Sequence, residues 1–144
     1  MTRTIDTLST TLPHLQPSDP AARLILFGIR QMGAHGLQDA AASHAFLTAF
    51  GVDFRRPLVL LRTLMHDMSV RAARPIQIAP WCCPRMTGAE ATMIEALRGV
   101  SENPQRSAYL LADLIGVRDA SSIVCAAHCV VTAFNDLGLP LRRD

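Results

Sequence analysis

The chain has 144 residues, 49% of them hydrophobic and 18% charged, with a mean hydropathy of +0.21 and a net charge of +2. That length favours one domain with a sizeable core, and the apolar content argues against disorder. All 14 cations are Arg and none is Lys, which excludes Schiff-base, pyridoxal and Walker-lysine chemistry.

Residues 1–18 are rich in Thr, Ser and Pro and are expected to form an extended arm on a single helical domain spanning 19–144. They contain no apolar signal region, so a cytoplasmic location is expected. Asp19-Pro20 reads as an N-cap followed by proline in the first turn, opening a helix to about Met32. Gly33-Ala34-His35-Gly36 should break or bend it. A second helix is predicted from Leu37 to Phe50, ending at Gly51. A third runs from Pro57 to about Ala73, with Leu58, Leu61, Leu64, Met65, Met68 and Ala72 on one stripe. Val59, Leu60 and Val70 fall on other faces, which predicts burial on two sides. Residues 75–86 hold Pro75, Pro80 and Pro84 around Trp81-Cys82-Cys83 and should form an extended Pro/Cys loop.

Thr87 and Glu90 have capping-box spacing for a fourth helix ending near Gly99. Asn103-Pro104 opens a fifth, which stops at Gly116, and Asp119 can cap a sixth, running to Leu137. Scarce β-branched runs and no convincing strand complete the expectation of an all-α, compact bundle of about six helices. The longest nearly apolar run, Ile123 to Phe134, is well short of the ~20 residues a membrane helix needs.

The sixth helix carries the most unusual pattern. Ile123, Ala127, Val130, Phe134 and Leu137 form one core stripe, and Cys125, His128, Cys129, Thr132 and Asp136 gather opposite. No Arg, Lys or Glu occurs from Ile123 to Pro140, so the second face is expected to meet the Cys82-Cys83 loop or another subunit. Together with the apolar excess, this points to a homo-oligomer and to a self-associating structural or interaction module rather than an enzyme.

Two alternatives attach chemistry to named residues. Cys125 and Cys129, one turn apart, could share zinc or an iron–sulfur cluster with Cys82, Cys83 and His128, or His128 could activate Cys129 as a redox thiol. The CC and CxxxC spacings do not follow the paired CxxC pattern of structural zinc, and buried packing is the ordinary fate of a free cysteine, so no cofactor is expected. Residues 54–86 carry six Arg and one Asp. Within them Arg55, Arg62 and His66, with Arg85 near the end of the loop, could bind a small anion.

No HExxH, GxSxG or phosphate-loop pattern is present; Gly28 to Gly36 lacks the Lys-Ser/Thr that a phosphate loop requires. Gly116-Val117-Arg118-Asp119 followed by Ser121, Ser122 and Ile123 is similar to the DNA-binding signature of bacterial replication initiators. The helix continues Val124-Cys125-Ala126-Ala127, without cations to neutralise phosphates, so nucleic acid is not expected as a partner. The segments RQMGAHGLQDA (30–40), FRRPLVLLRTLM (54–65), IAPWCCPRMT (78–87) and FNDLGLPL (134–141) resemble a family of short helical bacterial proteins of unknown function. The resemblance spans about residues 20–141 and implies a helical fold with no assigned activity.

Overall fold

The structure, a computed structural model, describes Leu12 and residues 14–142. Six α-helices are present among them: α1 (Pro20–His35), α2 (Ala40–Phe50), α3 (Arg55–Arg71), α4 (Gly88–Gly99), α5 (Pro104–Ile115) and α6 (Ser121–Asp136). Their starts are set by local chemistry. Asp19, Asp39 and Asn103 each accept a hydrogen bond from a first-turn amide, with Pro20 and Pro104 in the first turns of α1 and α5. Thr87 and Glu90 complete the predicted capping box of α4. Gly116 closes α5 at φ +75, the left-handed conformation that a Cβ disfavours.

Several expectations need correction. Gly33 does not break α1, which continues through Ala34 and His35 to Gly36. A Cβ at Gly33 would stand 2.5 Å from Ile78 Cδ1, so this glycine admits a neighbouring segment instead of interrupting the helix. α2 starts at Ala40 because Asp39 Oδ2 takes the Ala42 amide at 2.9 Å. A 3-10 turn, Gly51–Asp53, leads into α3, which starts at Arg55 and leaves helical geometry at Ala72. α3 is buried on one side only: Val59 and Val70 are exposed. The sixth helix is preceded by Ala120, while Asp119 Oδ1 accepts the Ser121 amide at 2.9 Å.

The sequence also concealed a small antiparallel ladder. β1 (His14–Leu15) pairs with β2 (Arg85–Met86), His14 opposite Met86 and Leu15 opposite Arg85. Of the expected arm, residues 1–11 and 13 lie outside the described residues.

The core is a single cluster drawn from all six helices, with α3 against α6 and α4 against α5 as the most extensive pairings. Phe46, Phe50 and Phe134 form a ring trio with centroids 5.0–6.0 Å apart, two of the three contacts edge-on. Gly28 allows α1 to cross this region, since a Cβ there would lie 2.8 Å from Leu61 Cδ2 and 3.3 Å from Phe46 Cε1. Among the described residues, no helix is long and apolar enough to cross a membrane.

Candidate functional site

The most heavily engineered polar feature lies beneath the Pro/Cys loop. Arg30 sits among the buried residues of α1, and Glu90 in the first turn of α4; both are essentially excluded from solvent. Arg30 Nε donates to Glu90 Oε2 at 2.7 Å and Nη2 to Oε1 at 3.1 Å, a two-pronged ion pair. Removing both charges from water costs several kcal/mol, which is offset only when their remaining hydrogen-bonding capacity is met.

The loop meets that demand. Arg30 Nη1 donates to the Cys83 carbonyl at 2.8 Å, and Nη2 to the Arg85 carbonyl at 2.8 Å. Glu90 accepts the Thr87 amide at 2.8 Å and the Ala79 amide at 3.2 Å. Gln16 Nε2 donates to the Cys83 carbonyl at 2.6 Å, and the Thr87 hydroxyl to the Gln77 carbonyl at 2.7 Å. The loop from Gln77 to Thr87 is therefore shaped by one buried charge pair and its neighbours. What this rigid loop presents outward is Trp81, 63% exposed, and the thiol-bearing Cys82.

Grooves flank Trp81 on both sides. One, of about 590 Å³, runs between the last turns of α1 and segment 76–81, with Gln31, His35 and Ile78 in its lining. The other, of about 300 Å³, is bounded by Gln16, Arg23, Leu26 and Phe27.

A second surface comes from the pairing of α3 with α6. The two helices run antiparallel: Arg56 Nη2 meets Asp136 at 2.9 Å at one end, and Arg71 acts on Asp119 at the other. Between these ends the outward stripe of α3 is Val59, Thr63, His66 and Val70, at spacings of one helical turn. The matching stripe of α6 is Cys125, His128, Cys129 and Thr132. None of these eight residues is a carboxylate or a guanidinium, and all but the half-buried Thr132 are exposed. Asp119 is held below the ordinary aspartate value by hydrogen bonds from the Ser121 amide and hydroxyl, with the Arg71 charge adding to the effect.

The predicted thiol residues are dispersed. Cys83 is buried within the loop, Cys82 is exposed at its tip, and Cys125 and Cys129 are exposed on α6 beside His128. Among the described residues, no group of three or more His, Cys, Asp or Glu side chains is placed to hold a metal ion. The Cys82–Cys83 loop does not cover the second face of α6.

The predicted anion set is likewise divided. Arg62 Nε donates to the Leu37 carbonyl at 2.8 Å and Nη2 to the Ser43 hydroxyl at 2.9 Å, which ties α3 to the α1–α2 connection. Arg85, on β2, donates to the Leu12 carbonyl at 3.3 Å. Arg55 lies over the Phe54 ring at 5.9 Å, and His66 is exposed on α3.

Sequence reasoning missed Arg30 as a functional residue. An Arg directly after the apolar run Leu24 to Ile29 was its only sequence signal.

No curated protein and no solved structure matches this chain. Residues 1–110 match the model of one protein family, described as Family of unknown function (DUF6628).

Proposed function

The chain belongs to the Family of unknown function (DUF6628), and we propose that it acts as a self-associating interaction module whose contact surface is the outer face of α3 and α6. The observation that supports this is the uncharged band of Val59, Thr63, His66, Val70, Cys125, His128, Cys129 and Thr132. An exposed helical surface of this breadth ordinarily carries interspersed charge. Its occupant is a second copy. The band ends on a cation and an anion at each extremity, Arg56 with Asp136 and Arg71 with Asp119. A two-fold axis parallel to the helices sets α3 of one copy against α6 of the other with like ends together, so each Arg meets an Asp of the other copy.

Thiol reactivity tests this directly. In dilute protein, Cys82, Cys125 and Cys129 react with an aromatic disulfide reagent, and Cys83 reacts only on unfolding. As concentration rises, Cys125 and Cys129 become protected while Cys82 does not. Protection of none of these thiols, or of Cys82 alone, would refute the assignment of the interface.

A further inference from the structure

We propose that the groove between the C-terminal turns of α1 and the extended segment Pro75–Pro80 binds an extended peptide of a partner protein, which adds alongside that segment as a strand. The first argument is the hydrogen-bond account of the segment. Residues 75–80 contain no turn or bend, and Pro75 and Pro80 bar a helix. From Ile76 to Ala79, the Gln77 carbonyl and the Ala79 amide are engaged, both toward the start of α4. The amides and carbonyls of Ile76 and Ile78 make no protein hydrogen bond among the described residues. In an extended chain alternate residues direct these groups to opposite sides. One edge is therefore anchored to α4 and the other is free, the arrangement on which strand addition operates.

The second argument is Gln31. It is 8% exposed, it lines the groove, and its side-chain amide makes no hydrogen bond among the described residues. That amide reaches solvent in the groove, and a primary amide offers a donor and an acceptor side by side. That pair matches the N–H and C=O of a peptide backbone.

The groove is also shaped for a chain. It shares Gly33, Ile76 and Ile78 with an adjoining apolar hollow of about 440 Å³ that includes Met65 and Ala72. That hollow suits one apolar side chain of the ligand. Trp81 stands at the other end as an exposed aromatic contact, on a loop tied at Ala79, Cys83 and Arg85 to the Arg30–Glu90 pair. Arg30 lines the groove but is neutralised by Glu90, so the ligand chemistry selected is that of a neutral, amide-rich chain.

Trp81 is the only tryptophan in the chain, so its emission reports binding. Blocked random octapeptides are selected on the full chain, and the tightest is titrated against that emission. The same peptide is compared after N-methylation of either alternate set of residues. One set is expected to lose about tenfold or more in affinity and the other little, because only one set faces the free edge. Hydrogen exchange of the Ile76 and Ile78 amides slows on binding, while that of Ala79 does not change. Gln31→Met, which keeps the volume, weakens binding about tenfold at an unchanged unfolding midpoint. Should Gln31→Met alter folding, the exchange pattern of the unmodified protein still decides. Absence of any peptide that moves the Trp81 emission would overturn the proposal. So would indifference to N-methylation, or unchanged exchange at Ile76 and Ile78.

Discussion

Arg30 and Glu90 are separated by 60 positions in the chain, yet each completes the other's hydrogen bonding inside the core. Removing one partner leaves a buried charge without compensation. Arg30→Met is therefore expected to destabilise the fold by about 3–5 kcal/mol, and the double variant Arg30→Met/Glu90→Met by less than the sum of the two single changes. Urea unfolding followed through Trp81 emission measures both. A single-variant cost below about 1 kcal/mol would show that the pair does not hold the loop. A second expectation concerns Gly28, whose missing side chain leaves room for Leu61 and Phe46. Alanine improves helix propensity by about 1 kcal/mol but intrudes on fully buried neighbours, so Gly28→Ala is expected to destabilise by about 1–2 kcal/mol net.

Among the elements, the boundary between α5 and α6 is sensitive to acid. Hydrogen bonds from Ser121 favour the ionised form of Asp119, so its carboxyl titrates lower in the folded chain than in the unfolded one. The unfolded state then binds more protons at low pH. The stabilisation by Asp119 is present above its ordinary value of 3.8 and is lost as pH falls through the lower, folded-state value. Asp119→Asn should flatten the acid limb of the stability curve by lowering stability at neutral pH, where Asp119 is ionised, while stability at the acid end changes little, as followed by thermal unfolding between neutral and acid pH. An unaltered acid limb would remove Asp119 from the account.

The same elements show what was legible beforehand. Asp19-Pro20, Thr87 with Glu90, and Asn103-Pro104 act within one turn of chain, so local spacing revealed them. The free edge of Ile76–Ile78 was hidden because it depends on how Thr87 and Glu90 fold back on residues 77 and 79. Gly33 was misleading for the same kind of reason. Its role is contact with Ile78, 45 positions later (78 − 33), and not a break in its own helix. The exposed side of α3 escaped notice because apolar Val59 and Val70 look identical in sequence whether they meet a core or a second molecule.

For the whole molecule, composition and architecture converge on one question. A low charge content places many apolar and neutral residues on the surface, and the paired helices α3 and α6 each carry an exposed uncharged stripe. The central claim is the pairing, and molar mass by light scattering tests it most directly. At micromolar concentration the account predicts about twice the 15.7 kDa chain mass for the unmodified protein, and the single-chain mass for the folded Val59→Arg/Val70→Arg variant. A clean 15.7 kDa monomer for the unmodified protein would contradict it.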